Sequence, residues 1–310
     1  MAKKQARATD YAVYLLIRAI VCIIQALSWS PALGLARLLA SVAYRVDRRH
    51  RAVADENLRH AFPDWTPAER DAVVRSTYKH FMMMAVEMIR LPRTLRPANV
   101  DHYFHWNDPR ELQWGLALKR TRRPIMAMTG HFGNWEVLSY AFGMNECRGG
   151  IVARRLDNPY LDRLVADLRR KTGQVVLDKN RDYQQMLDML ERGDHLGLVG
   201  DQDAGPRGLF VDFMGRPAST FKSIALLSLQ YRAPILVLGA ARVGHPLRYV
   251  IYLEDAILPE DYANRQDAPQ AITLRYTQAL ERLIRRHPEQ YFWLHRRWKN
   301  QPLVRARRAA

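Results

Sequence analysis

Cysteine is scarce in this chain of 310 residues, which has only Cys22 and Cys147. Two isolated cysteines exclude a disulfide framework and a cysteine-rich zinc site, and they are typical of a protein from a reducing compartment. The sequence also lacks internal repeats and low-complexity linkers, apart from a basic, Arg- and Ala-rich tail at residues 305–310. These absences favour a globular domain over a repeat array or a disulfide-stapled scaffold.

Acidic residues are also few. The chain has 31 Asp and Glu against 48 Lys and Arg, which gives a formal net charge of +17 at pH 7. Such a surface attracts anions over roughly 8 Å, the Debye length at physiological salt. Candidate partners are phosphorylated lipids, an anionic bilayer, an acidic carrier protein and nucleic acid. Nucleic acid ranks last, because no RNA-binding module pattern accompanies the aromatic and basic residues at 293–299.

The N-terminus carries the one candidate membrane segment. Residues 11–29 are mostly apolar and contain one charged residue, Arg18, and a spanning helix needs about 20 mostly apolar residues. Basic residues lie on both sides, so they define no orientation, and no small-residue cleavage site of a signal peptide follows. We predict an anchoring region at residues 1–45, with two helices over 11–45 broken near Pro31. These helices either span the membrane once or lie in its interface, and packing on the protein itself is the alternative.

The remaining chain alternates short apolar runs with longer amphipathic ones, which predicts a single α/β domain at residues 46–304. A capping box at Thr66–Glu69 predicts a helix to about Arg90, whose methionines are interpreted as core. Strands are predicted at residues 125–129, 150–154, 175–178, 195–200, 234–241 and 249–253. Helices are predicted at residues 133–145, 158–172, 183–192, 219–231 and 270–286. This pattern indicates a sheet with helices on its faces.

His131 and Glu136 flank a predicted strand-to-helix turn. On one unbroken helix, side chains five residues apart diverge by about 140°. With His131 on the loop and Glu136 in the first helical turn, the carboxylate is able to turn back toward the imidazole, and Asn134 is free to cap backbone donors. An imidazole suits the removal of a proton from a hydroxyl near pH 7, and a thioester donor requires no Ser or Cys nucleophile. The alternative is a structural loop histidine and an ordinary acid at a helix N-terminus.

Charged residues follow the other predicted strands. In an open α/β sheet, ligands gather at the carboxyl ends of the strands, so these residues are expected to converge on His131. Arg154 either clamps a phosphate or pairs with Asp157. Asp201 and Asp203 indicate a turn that orients Arg154 or a sugar hydroxyl more than a metal site, and neither a metal nor a cofactor is required. The full set after the strands is Arg154, Arg155, Lys179, Arg181, Asp201 and Asp203.

Several sequence blocks resemble the bacterial lipid A biosynthesis acyltransferases, the late lauroyl and myristoyl transferases of lipopolysaccharide assembly. The most specific block is HFGNWE, His131–Glu136. The other blocks are Asp55–Leu58 with Phe62–Pro63, Val152–Pro159, Gly200–Asp203, Phe210–Gly215 with Pro217–Ala218, and Tyr291–Trp298. The resemblance covers nearly the whole chain. Arg155 departs from it, since many relatives carry proline there.

The resemblance implies a glycerolphosphate-acyltransferase-like α/β fold with a central mixed sheet flanked by helices. It also implies an O-acyltransferase that moves a fatty acyl chain from acyl carrier protein or coenzyme A to a hydroxyl of a phosphorylated glycolipid, a lipid A precursor. The place implied is the cytoplasmic side of the inner membrane. His131 is then the general base and Glu136 its orienting partner, while Asn134, Arg154, Asp201 and Asp203 are expected to bind substrate.

Three alternatives stay open at this point. The closest is acylation of another glycolipid, such as a phosphatidylinositol mannoside. A metal-dependent hydrolase would use His131, Glu136, Asp201 and Asp203 together. A non-catalytic membrane-surface protein would use the basic anchor, but it gives no reason for His131 and Glu136 to stand on a strand-to-helix turn.

Overall fold

Four helices open the chain. The computed structural model describes residues 2–121, 123–144, 149–171, 173–179, 181–244 and 246–302, so Cys147 and the predicted basic tail at 305–310 lie outside the described residues. The helices are α1 (Ala2–Ala26), α2 (Trp29–Val46), α3 (Arg48–Ala61) and α4 (Pro67–Thr94). The predicted break in the N-terminal region is confirmed, but it falls at residues 27–28. Pro31 lies inside α2, where the first turn of a helix tolerates proline.

The predicted capping box of α4 is confirmed. The Thr66 backbone N–H donates to Glu69 Oε2 at 2.7 Å, and the Glu69 N–H donates to Thr66 Oγ1 at 3.3 Å. α4 continues to Thr94 and includes Pro92, so it is longer than predicted. Met84 of α4 is buried, and Met82, Met83 and Met88 are half-buried and pack against the core clusters, as expected for methionines at helical spacing.

A seven-stranded sheet with the order β1-β9-β8-β2-β5-β3-β4 forms the centre. Its strands are β1 (Phe104–Trp106), β2 (Met126–Thr129), β3 (Gly149–Ala153), β4 (Val175–Asp178), β5 (His195–Val199), β8 (Ile235–Arg242) and β9 (Tyr249–Ile257). The five strands from β8 to β4 are parallel, while β9 pairs antiparallel with β8. The predicted mixed sheet is therefore confirmed, and the carboxyl ends of β2, β3, β4 and β5 meet at one edge.

Helices cover both faces of the sheet. They are α5 (Val100–Tyr103), α6 (Pro109–Arg120), α7 (Trp135–Met144), α8 (Pro159–Arg170), α9 (Tyr183–Glu191), α10 (Lys222–Tyr231) and α11 (Ala268–Arg286). On one face, Met126 and Met128 of β2 pack into a core shared with α10 and α11. On the other face, Leu236 and Leu238 of β8 pack with Val137 of α7 and the end of α4.

A separate hairpin corrects the prediction of one helix over residues 219–231. Strand β6 (Leu209–Phe213) pairs with β7 (Arg216–Thr220), and the helix α10 begins only at Lys222. Met214 and Gly215 make the two-residue turn, with φ of 55° and 81°. Positive φ at both central residues is typical of tight hairpin turns. The pairing partner β6 decides the conformation of residues 216–220, and helical periodicity alone does not reveal that partner.

The outer faces of α1 and α2 remain exposed and apolar. Residues Ala8–Ala26 of α1 are long and apolar enough to cross a membrane, and little of this stretch is covered by the protein. Leu16 of α1 is 62% exposed and Leu38 of α2 is 60% exposed. Two points of α1 are attached to the domain: Asn158 Nδ2 donates to the Asp10 carbonyl at 2.8 Å, and Arg90 Nη1 donates to the Ile24 carbonyl, near the end of the helix, at 2.9 Å.

Candidate functional site

His131 and Asp201 meet at the carboxyl-terminal edge of the sheet. β2 and β5 are parallel neighbours, with Thr129 paired to Val199, so the residues that follow them lie side by side. His131 Nδ1 lies 2.7 Å from Asp201 Oδ1, and the His131 backbone N–H donates to Oδ2 at 2.8 Å. A Cβ on Gly130 would lie 3.2 Å from Asp201 Oδ2, so glycine lets the carboxylate approach the chain closely.

Glu136 lies in the first turn of α7, as predicted, but its carboxylate binds Arg169 of α8 instead of His131. Arg169 Nε donates to Oε2 at 2.9 Å, and Nη2 donates to Oε1. Only 12% of the Glu136 side chain and 20% of the Arg169 side chain are exposed. The predicted hydrogen-bonding contact between Glu136 and His131 is therefore wrong, because Asp201 occupies Nδ1 and the guanidinium engages both carboxylate oxygens of Glu136.

Charge around the pair shifts both pKa values. Burial works to lower the pKa of His131, but the charge and hydrogen bond of Asp201, with a smaller contribution from Glu136, raise it above its ordinary value. Burial works to raise the pKa of Asp201, and the neighbouring His131 outweighs this and holds that pKa well below its usual range. Asp201 thus stays ionised and accepts a hydrogen bond from the protonated Nδ1, which leaves Nε2 as the basic nitrogen of the ring.

A cavity of about 870 Å³ opens beside His131 and extends beneath the sheet. Its walls are mostly apolar and include Phe104, Trp106, Ile125, Leu138, Leu238 and Ile251. Polar groups at the carboxyl-terminal edge of the sheet also line the cavity, and Gln174 and His195 line it near the amino ends of β4 and β5. The groups at the carboxyl-terminal edge are His131, Glu136, Arg154, Arg169 and Lys179. We call the part of the cavity beside His131 its entrance, and most of the remaining lining is apolar.

Arg154 lines this cavity, as expected for a substrate contact, and it also makes the alternative ion pair. Its Nη2 lies 3.3 Å from Asp157 Oδ1, with 74% of the Arg154 and 96% of the Asp157 side chain exposed. An exposed pair of this kind is worth about 0–1 kcal/mol, so it exchanges readily for a phosphate. Both sequence interpretations of Arg154 are thus compatible with its position.

Asn134 is fully buried, which contradicts its predicted contact with substrate. Its Oδ1 accepts the Val137 backbone N–H at 3.0 Å, so the predicted cap of α7 is confirmed, and its Nδ2 donates to Tyr249 Oη at 2.9 Å. The turn is tight enough to leave this side chain beneath the sheet edge, away from the cavity. Asn134 is thus a structural residue of the turn that carries His131.

The two aspartates after β5 have separate positions. Asp201 was expected to bind substrate, but its side chain is fully buried and both of its oxygens bind His131. Asp203 was expected beside it, yet its carboxylate accepts hydrogen bonds from Gly205 N–H at 2.9 Å and from Asn300 Nδ2 at 2.6 Å. Asp203 thus fastens the C-terminal segment and does not line the cavity. The predicted convergence is correct for His131, Arg154, Lys179 and Asp201 only.

Sequence reasoning missed Arg169 and the role of Asp201. The signal for Asp201 was its place at the end of a parallel strand, but only the strand order shows that β5 is the neighbour of β2. Arg169 lies in the last turn of α8, where a basic residue is ordinarily explained by the helix dipole. Its approach to Glu136 depends on the packing of α8 against α7.

The metal-dependent alternative finds no support in the geometry. Among the described residues, no group of three or more His, Cys, Asp or Glu side chains is placed to hold a metal ion. Glu136 and Asp203 bind other partners, as described above, so the four residues of that hypothesis do not form one cluster.

Comparison with known proteins gives matches over most of the chain. Residues 1–300 match the family described as bacterial lipid A biosynthesis acyltransferase. A Haemophilus influenzae lipid A biosynthesis acyltransferase is 26% identical over 267 residues, which cover 83% of this chain and 80% of the relative. The Escherichia coli lipid A biosynthesis lauroyltransferase is 26% identical over 274 residues, 85% of this chain and 84% of the relative. The E. coli myristoyltransferase is 24% identical over 261 residues, 83% of this chain and 77% of the relative.

Proposed function

The chain belongs to the bacterial lipid A biosynthesis acyltransferase family, and we propose that it transfers a fatty acyl chain from an acyl thioester to a hydroxyl of a lipid A precursor. It is an acyltransferase by this membership. One observation carries the finer proposal: an imidazole fixed by a buried carboxylate lines a large, mostly apolar cavity. That arrangement provides a base for a hydroxyl and room for a hydrocarbon chain.

His131 acts as the general base. As the acceptor hydroxyl attacks the thioester carbonyl, Nε2 takes its proton, and Asp201 stabilises the imidazolium that forms. The tetrahedral intermediate then collapses, the C–S bond breaks, and the imidazolium returns the proton to the departing thiolate. No Ser or Cys nucleophile and no cofactor takes part in this sequence, because a thiolate is already a good leaving group.

Arg169 and Glu136 serve the same step, and both line the cavity together with His131. The bidentate contact with Glu136 keeps the Arg169 guanidinium at the cavity wall, in surroundings where most of the pair is shielded from water. A fixed positive charge there stabilises the oxyanion of the tetrahedral intermediate or a phosphate of a substrate. Glu136 is thus proposed to position Arg169, in addition to its electrostatic effect on His131.

The donor and acceptor are inferred from charge and shape. The apolar interior of the cavity accepts the acyl chain, and Arg154 and Lys179 at its charged entrance suit the phosphates of a glycolipid or of a carrier's phosphopantetheine. The net charge of +17 favours an acidic acyl carrier protein as donor, with coenzyme A as the other option. The sheet and helices are proposed to follow the glycerolphosphate-acyltransferase-like arrangement.

The protein is proposed to act at the inner membrane with its catalytic domain on the cytoplasmic side. The exposed apolar faces of α1 and α2 support membrane association, and acyl carrier protein and coenzyme A thioesters are cytoplasmic donors. Residues 1–45 form the proposed anchor and residues 46–304 the proposed catalytic domain. The attachment of α1 to the domain at Asp10 and Ile24 supports contact between the lipid surface and the entrance of the cavity.

Mass spectrometry of lipid A tests this proposal. Cells that lack the protein are expected to make lipid A that lacks one acyl group, and the native chain is expected to restore it. Purified His131→Ala should remain folded and turn over about 10²- to 10⁴-fold more slowly, as expected on loss of a general base. An unchanged rate would refute the mechanism. If another glycolipid loses an acyl group while lipid A is unchanged, that glycolipid is the acceptor instead of the lipid A precursor.

A further inference from the structure

A buried polar cluster outside the cavity contacts the turn that carries His131. We propose that Glu87, Arg242 and His80 are positioning residues for the transfer reaction, because they hold the Gly133–Asn134 corner of this turn. The proposal rests on the proposed function for its chemistry. None of the three lines the described part of the cavity, so they act through the turn and do not touch the substrate.

The centre of the cluster is an ion pair between α4 and β8. Arg242 Nε donates to Glu87 Oε1 at 2.8 Å and Nη2 donates to Oε2 at 2.6 Å, with 8% of the arginine side chain exposed and none of the glutamate. A buried ion pair is often no more stabilising than apolar residues of the same size. Stability alone therefore explains this pair poorly, whereas its fixed geometry suits the alignment of neighbouring groups.

His80 carries this alignment to the turn. Arg242 Nη1 lies 2.8 Å from His80 Nδ1, and a guanidinium only donates, so Nδ1 is the unprotonated acceptor. The proton is then on Nε2, which donates to the Gly133 carbonyl at 2.9 Å. Burial, with the charge of Arg242, lowers the pKa of His80 to about 3, so the ring stays neutral while His131 titrates.

A second branch of the cluster reaches the next residue of the turn. Tyr249 Oη donates to Glu87 Oε2, and Asn134 Nδ2 donates to Tyr249 Oη at 2.9 Å. Asn134 Oδ1 in turn caps Val137 at the start of α7. Gly133 and Asn134 are therefore both fixed by groups that lead back to Glu87. His131 lies two residues before Gly133, so a shift of this corner displaces the imidazole from Asp201.

The test compares two glutamate-to-glutamine variants in the full-length chain. Glu87→Gln weakens the cluster, and Glu254→Gln is the matched control, because Glu254 is also buried and binds Arg282 and Arg286 but lies on β9 away from the turn. We expect Glu87→Gln to lower kcat by about 10- to 100-fold, with KM changed less than about two-fold. Glu254→Gln should lower only the unfolding temperature.

The pKa of His131 separates positioning from stability. The charged or titratable groups that act on its imidazole are Asp201 after β5, Glu136 of α7 and His295 of the C-terminal segment. If Glu87→Gln loosens the contact with Asp201, the acid limb of the kcat profile moves to lower pH. The same pKa, measured by NMR of histidine-labelled protein without substrate, should move in the same direction. This titration remains decisive even if lipid A proves not to be the acceptor.

Tyr249→Phe provides a milder variant in case Glu87→Gln does not fold. It removes the hydroxyl between Glu87 and Asn134 and keeps the ring, so we expect a several-fold loss of kcat and a smaller shift of the His131 pKa in the same direction. Folded variants with unchanged kcat and unchanged His131 pKa, but a lower unfolding temperature, would overturn the proposal and leave the cluster a purely structural one.

Discussion

The contact between His131 and Asp201 depends on a small residue at the end of β2. A Cβ on Gly130 would lie 3.2 Å from Asp201 Oδ2 and 3.3 Å from Asp201 Cβ and Cγ. With glycine there, the carboxylate lies close enough to bind both the ring and the backbone of His131. A carboxylate that holds two groups of one residue fixes the direction of the imidazole as well as its tautomer.

Asp201→Asn should show what the negative charge of Asp201 contributes, because asparagine keeps nearly the same side-chain shape and removes the charge. The amide removes the negative charge that raises the pKa of His131, and only the neutral imidazole is a base. The activity that disappears as pH falls through that pKa should therefore persist to lower pH. The maximal kcat should fall about 10²-fold or more, because the imidazolium loses its partner and the ring its preferred tautomer. Measurement of kcat from pH 5 to 9 checks both effects.

Asp203→Asn is the control for this measurement, since Asp203 lies two residues away and binds Asn300 instead of His131. Its acid limb should match that of the native protein, with at most a small loss of stability. An Asp201→Asn protein whose acid limb coincides with the native limb would contradict the assignment of Asp201 as the charge that sets the His131 pKa.

At the scale of elements, the turn that carries His131 lies very close to β8. Gly133 has φ of +55°, and its N–H donates to the Gln290 carbonyl at 2.8 Å. A Cβ on Gly133 would lie only 1.9 Å from the Ala240 carbonyl oxygen, which belongs to the backbone of a central strand and has no freedom to move away. The position therefore requires glycine both for its backbone conformation and for the space available.

Gly133→Ala should destabilise the fold by about 3 kcal/mol or more, since backbone strain of about 1–3 kcal/mol adds to a steric clash. Gly205→Ala is the matched control, because Gly205 has φ of +81° but no atom within 4 Å of its Cβ position. The free energy of unfolding of that variant should fall by about 1 kcal/mol, from the backbone strain alone. Denaturant unfolding of both variants measures the difference, and equal losses would show that the approach to β8 is unimportant.

The elements themselves were largely predictable, and their arrangement was not. Strands β2 to β5 and helices α7 to α9 follow from apolar runs and turn residues, because these signals are local in the chain. The strand order is a property of the assembled sheet, so no local signal places Asp201 against His131. Glu136 was the predicted partner because it is near in sequence. Its true partner Arg169 comes from the neighbouring helix, and the packing of α7 against α8 decides that contact.

The buried Glu87 shows a second limit of local patterns. Glu87 lies in α4 among methionines that are interpreted as core. From the sequence alone, an isolated glutamate at such a position is expected to be exposed to solvent. The structure buries it completely against Arg242, which is 155 residues further along the chain. A charged residue in an apolar helical run is therefore recognised as half of a buried ion pair only when the residue of opposite charge is known, and that residue can be distant in the sequence.

At the scale of the whole molecule, the apolar faces of α1 and α2 lie close to a basic surface. Exposed apolar residues on these helices include Leu15, Leu16, Ile20, Ile23, Leu38, Leu39, Val42 and Val46. Arg37 and Arg45 are exposed on α2 and Arg48 and Arg49 at the start of α3. Apolar residues beside arginines suit an anionic bilayer, since the side chains enter the lipid while the guanidinium groups bind headgroups.

Leu16→Glu combined with Leu38→Glu should therefore weaken binding to vesicles that contain an anionic phospholipid. Each substitution removes apolar burial worth about 1.5 kcal/mol, which is about ten-fold in partitioning, and adds a charge of the wrong sign. Leu226→Glu is the matched control, because Leu226 is 44% exposed on α10, outside the N-terminal helices, and its variant should bind like the native protein. Vesicle flotation measures the bound fraction. Equal binding by the double variant and the control would mean that α1 and α2 do not form the membrane contact.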